Sequence, residues 1–287
     1  MSVYNAIIAQ CAAYDARRTH QVLLLQRFRS YPFLLVCSFS LTIFLSFAAL
    51  QTAAQAAKPR FRAVAIAEAG GIHKPFVDAA EAWLDKLAMQ ENFTVDYIQN
   101  TDKIDDEFLS RYQLFIQLNY PPYMWTPKAM AAFTKYIEEG RGGWIGFHHA
   151  TLLGEFDGYQ MWPWFSNFMG GIRFKDYIAD FATAQVIVED QKHPVMRGVP
   201  ENFVIEKEEW YVWDKSPRPS VHVLARVDES TYTPDTPKKM GNHPVIWSNE
   251  HIKARNVYIF MGHHSGLFRN ANFITIFRNA IFWAANQ

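Results

Sequence analysis

Short apolar runs at 61–67, 93–98, 114–118 and 144–147 alternate with stretches of helical periodicity, and no other feature constrains the fold so tightly. Between the first two runs, Phe76, Ala80, Trp83, Leu84 and Leu87 recur at the spacing of one helix face. Asp105 opens a short helical turn. Thr126-Pro127 places a capping hydroxyl before a first-turn proline, which starts a helix that Gly140 stops. Strands and helices in strict alternation bury both faces of a mainly parallel sheet through right-handed crossovers. The expected class is α/β, flavodoxin-like. After His149 the apolar runs at 184–188, 203–205, 221–225 and 244–247 have few helices between them. They predict additional short strands, as an antiparallel extension or a second layer. A buried strand at 256–261 and a helix at 272–285 close the chain.

The N-terminus reads differently. Arg27 and Arg29 precede a charge-free run from 31 to 50, followed by Ala54-Gln55-Ala56 and Lys58-Pro59. A basic flank, an apolar stretch and a small-residue Ala-x-Ala end describe a secretory signal peptide. The run also approaches the length of about 20 residues that spans a bilayer, so an uncleaved anchor is the rival. The Ala-rich end favours cleavage, with residues 1–56 as leader, its start over-extended, and 57–287 as one domain. The expected location is exported, periplasmic or extracellular, with membrane contact only through the leader or anchor.

Both cysteines, Cys11 and Cys37, fall in the leader. The remainder therefore has no disulfide, thiolate metal ligand or cysteine nucleophile. Removing Arg17, Arg18, Arg27, Arg29 and Asp15 leaves 24 basic against 27 acidic residues, which argues against a nucleic-acid surface.

Two strands end on histidine pairs: Gly146-Phe147-His148-His149 and Met261-Gly262-His263-His264. In open α/β sheets, ligands collect at the carboxyl ends of strands. His148 stands where related topologies place a nucleophile elbow, and suits a general base, an oxyanion donor or a metal ligand. Side chains alternate along an extended chain, so His149 is expected to point away from His148. His73 follows the first strand across Gly70-Gly71 and opens on the same edge. Three imidazoles, His73, His148 and His263, suit zinc or another divalent metal, although no His-x-x-x-His pair supports it. In Glu206-Lys207-Glu208-Glu209-Trp210-Tyr211, alternation places Glu206 with Glu208 and Glu209 with Tyr211. Such a cluster is either a solvated strand edge or contains, in Glu208 or Glu209, a general base or a histidine-orienting carboxylate. All nine tryptophans lie beyond the leader. The loops Tyr120-Pro121-Pro122-Tyr123 and Met161-Trp162-Pro163-Trp164 present rings that either stack on a sugar or fold down over the sheet.

Taken in order, Gly143-Trp144-Ile145-Gly146-Phe147-His148, the 164–171 segment, Asp190 to Val195, Glu208-Glu209-Trp210-Tyr211, Pro244 to Trp247, Tyr258 to His263 and Asn279 to Ala284 resemble the ThuA-like (trehalose-utilisation) family. The likeness runs from about Arg62 to the C-terminus. It implies a class I glutamine amidotransferase-like fold and a role with sugars, often oxidised (keto) disaccharides and glycosides. His148 stands near the position of the amidotransferase cysteine, so thiolate-driven glutamine hydrolysis is excluded. The family's usual Asp-Glu pair is Glu208-Glu209 here, and its single elbow histidine is doubled. The expected site is catalytic His148, His263 and Glu209, with His73, Trp164 and Tyr211 contacting a carbohydrate. A non-catalytic glycan-binding or scaffold protein is the alternative.

Overall fold

The computed structural model describes residues 58–286. The leader with Cys11 and Cys37 lies outside the described residues. β1 (Arg62–Ala67), β2 (Thr94–Ile98), β3 (Leu114–Leu118), β4 (Gly143–Phe147) and β11 (Asn256–Ile259) form one parallel array in the order β2-β1-β3-β4-β11. β3, β4 and β11 are buried throughout and β1 from its second residue on, as parallel strands covered on both faces must be.

The covering helices are α1 (Lys74–Glu91), the single turn α2 (Asp106–Leu109), α3 (Pro127–Glu138), α4 (Pro163–Phe168) and α5 (Ala271–Ala284). Their ends obey local chemistry. The Thr126 hydroxyl accepts from the Ala129 N–H at 3.3 Å, and Asp105 accepts from Phe108 at 2.9 Å. Asn92 takes the left-handed conformation beyond α1 and closes on Ala88. α5 buries Phe273, Ile276, Phe277, Ala280 and Ile281, and the Phe277 ring meets Phe147 of β4 at 4.7 Å.

The later strands extend this same sheet rather than adding a layer. β10 (His243–Ser248), β9 (His222–Thr233), β6 (Ala182–Val188) and β7 (Asn202–Glu208) continue from β11, each antiparallel to its neighbour. β9 is 12 residues long, far beyond the short strand its apolar core suggested. β5 (Phe174–Tyr177) and β8 (Tyr211–Trp213) form a separate two-stranded ribbon that the periodicity did not reveal. Successive reversals return β7 to the direction of β11, so its end faces the carboxyl edge of the parallel strands. Among the described residues no helix is long and apolar enough to cross a membrane.

One buried carboxylate ties the antiparallel half together. Glu229 accepts hydrogen bonds from His243 Nδ1 at 2.9 Å and from the Met240 and Gly241 N–H groups, each at 2.6 Å. Burial opposes its ionisation, but the His243 ring and the backbone donors outweigh it and hold the carboxyl below its ordinary value. Its contribution to stability is therefore complete above the unfolded carboxyl pKa of about 4.3 and is lost as the pH falls through the lower folded value. Glu229→Gln should flatten the pH dependence of urea denaturation below about pH 4.3. An unchanged slope would show that Glu229 gains nothing from these donors.

Candidate functional site

The elbow after β4 is built under strain. His148 takes φ +34°, left-handed for a non-glycine residue, a conformation that costs about 1–3 kcal/mol unless its surroundings enforce it. Tyr258 and Thr151 hydroxyls both donate to the His148 carbonyl at 3.1 Å. Gly262 makes room, since a Cβ there would lie 2.8 Å from the His148 Cβ. Asn119, at the end of β3, donates to the Gly262 carbonyl at 2.6 Å and so ties the β3 and β11 ends together.

Four buried side chains converge beside this elbow: His73, His148, Glu209 and His263. His148 Nε2 lies 3.2 Å from Glu209 Oε2, which is also 3.6 Å from His263 Nδ1. That same His263 nitrogen lies 3.0 Å from His73 Nε2. One donor atom from each of the four lies within 4.8 Å of the others. Tyr211 packs its ring 4.4 Å from that of His148.

Burial sets the electrostatics. It drives His148 down to about 4, against the opposing bond to Glu209. His73 is held well below its ordinary value by burial and by the neighbouring His149, His148 and His263. Burial pushes the Glu209 carboxyl up, but hydrogen bonds from His148 and His263 overcome it and hold it at about 2. Burial thus disfavours the charged forms of His148 and His73 beside the Glu209 carboxylate. Glu208 behaves oppositely: burial lifts it to about 8, although the Glu209, Gly262 and His263 backbone N–H groups donate to it.

Three expectations need correction. Lys207 adopts φ +50°, and the pairing of Ala182 with Glu208 but Ala184 with Ile205 places one extra residue in β7. This bulge breaks the alternation, so Glu206 is exposed while Glu208 and Glu209 are both buried. The chain also turns sharply at His148 instead of staying extended, so His149 does not point away. Its ring meets His73 at 4.2 Å. Trp164 joins none of these residues: its indole donates to Glu138 at the end of α3 and packs on Trp162 and Phe168. Trp162, like Trp125 and Tyr120, is buried, so both segments fold down over the sheet, and the second is no loop from Pro163 on but helix α4, with its proline at the first turn.

Two positions were not singled out by sequence, Glu68 and Asn119. Glu68 Oε1 accepts from His149 Nδ1 at 3.1 Å, as does the Asn119 carbonyl oxygen at 3.1 Å. Both residues directly follow a parallel strand, the same signal that marked His148.

The arrangement defines a flavodoxin-like α/β fold, its sheet extended by antiparallel strands, with a histidine-rich site at the elbow. The chain belongs to the ThuA family, described as trehalose utilisation, whose sequence profile matches residues 62–284. A ThuA-like protein from Bacteroides uniformis is 31% identical and superposes with a TM-score of 0.71, covering 80% of this chain and 93% of its own. A ThuA-like protein from Parabacteroides merdae shares the fold at 17% identity and TM-score 0.52, covering 79% and 90%. A cytoplasmic protein from Salmonella typhimurium shares it at 10% identity and TM-score 0.52, covering 78% and 98%. No curated protein matches the chain.

Proposed function

We propose that this protein is an exported sugar-processing enzyme that acts on trehalose-derived or other oxidised (keto) disaccharides or glycosides. Membership of a family described as trehalose utilisation supports the substrate class. The observation that carries the catalytic reading is the pairing of His149 with Glu68 beside the buried cluster. Two acceptors, a carboxylate and a carbonyl, face His149 Nδ1, so that nitrogen bears the proton. Nε2 then presents a lone pair. The His149 side chain is 13% exposed, whereas that of His148 is fully enclosed. His149 therefore serves as the proton acceptor, while His148, Glu209 and His263 form the polar floor behind it. A ketone acidifies its neighbouring C–H bonds, and a neutral imidazole is a suitable base for such a proton. Glu68 would stabilise the resulting imidazolium.

His149→Gln should lower kcat on a keto-disaccharide by about 100- to 10,000-fold, and Glu68→Gln by less, with KM little changed. Parent-like kcat in His149→Gln would remove His149 from the role. The second reading, a glycan-binding protein without catalysis, draws on Phe181, a 40% exposed ring lying 4.3 Å from that of His263. On that reading a Phe181→Ala variant loses affinity and no keto-sugar is turned over.

A further inference from the structure

We propose that His73, His148, His263 and Glu209 bind one divalent transition-metal ion of the zinc class. This assignment is independent of the substrate: loss of either reading leaves the other standing.

The donor set comes first. Three imidazoles and one carboxylate supply three nitrogens and an oxygen, ligands that suit zinc and its first-row neighbours better than magnesium or calcium. Histidine ligates a metal as the neutral imidazole, so in a metal-bound state the set would carry the single negative charge of Glu209, which a divalent ion would more than balance. The spacing is the second point. Metal–ligand bonds of about 2.0–2.1 Å in tetrahedral geometry place neighbouring donor atoms about 3.3 Å apart. Three of the six separations here are 3.0 Å for His73–His263, 3.2 Å for His148–Glu209 and 3.6 Å for His263–Glu209, and all lie within 4.8 Å.

Third, internal hydrogen bonds do not account for the cluster. His263 Nδ1 faces both His73 Nε2 and Glu209 Oε2, and a single N–H can serve one of them well. A cation between these atoms would satisfy all of them at once.

The surroundings supply an independent observation. His148 is fully buried, yet its Nδ1 has no hydrogen-bond partner. It looks toward Glu208 Oε1 at 3.9 Å, and Glu208 is itself anchored by the Gly262 and His263 N–H groups. Metal-bound histidines typically direct their second nitrogen to a carboxylate, which fixes the ring and raises its basicity. With His148 coordinating through Nε2, its proton would move to Nδ1 and point at Glu208. At 3.9 Å the two are not hydrogen-bonded, and an approach of roughly 1 Å would give the orphaned nitrogen its partner.

The test uses untagged protein spanning residues 57–287, stripped with a chelator and titrated with Zn2+ by calorimetry, with elemental analysis after desalting. The expected result is about one ion per chain for the parent and for His243→Gln, which alters a separate buried His–Glu pair. His263→Ala and His73→Ala should fall to near zero. Equal zinc content in His263→Ala and parent would assign the metal to surface groups and overturn the site. So would no binding to the parent. Should the variants fail to fold, Co2+ added to the parent decides. Intense visible bands of a tetrahedral nitrogen–oxygen site support the proposal, and a weak octahedral spectrum refutes it.

Discussion

Glu209→Gln is expected to leave the fold intact and to lower turnover of a keto-disaccharide by about 100- to 10,000-fold. The amide has nearly the shape of the carboxylate, so the packing around it survives. Its charge does not. Glu209 Oε2 faces His148 Nε2 and His263 Nδ1 together, and the buried anion is the one fixed charge among these rings. An amide oxygen in the place of Oε2 can still accept from both rings, but as an uncharged acceptor it holds them less strongly. Both rings lose the anion that orients them. The check is kcat with circular dichroism and thermal melting on the same preparation. Parent-like turnover in a folded variant would show that chemistry does not depend on this cluster.

Trp144→Ala should cost about 3–5 kcal/mol of stability, the upper range for truncating a buried core residue. The ring is fully buried, packs edge-on against Phe165 and Phe168 of α4, and donates its indole N–H to Gln117 Oε1 at 3.1 Å. Truncation leaves a cavity between sheet and helix and strands a buried amide oxygen. Trp144→Phe separates these effects: it restores most of the volume but not the donor, and should cost about 1–3 kcal/mol. Urea denaturation of parent and both variants measures the order. Equal losses would mean that the hydrogen bond, and not the packing, supports this part of the sheet.

Much of this architecture was legible in the sequence because it rests on local rules. Buried strands without alternation, a Thr-Pro helix start and a helix stop at Gly140 depend on neighbours in the chain, and β1, β3, α3 and β4 form where those signals stand. The strand-end rule likewise marked His73, His148 and His263, since parallel strands all deliver their carboxyl ends to one edge. The acidic cluster pointed to Glu208 or Glu209, and the ordered motifs of the ThuA family set Glu208-Glu209-Trp210-Tyr211 beside them.

Other features depend on contacts between distant segments and left no local mark. The bulge at Lys207 shifts Glu208 and Glu209 inward together, and it exists because β7 must register against β6. The turn at His148 is held by Tyr258, Thr151 and the space above Gly262, so His149 meets Glu68 from the far side of β3. Trp164 looked like a sugar platform until α3 offered Glu138 as a partner and Phe168 as a surface. Sequence by itself determined the parallel strands, the long helices and the edge on which the histidines gather. Only tertiary structure decided which atoms their nitrogens face, because separations of 3–4 Å between those atoms are set by backbone bends and register between segments many residues apart.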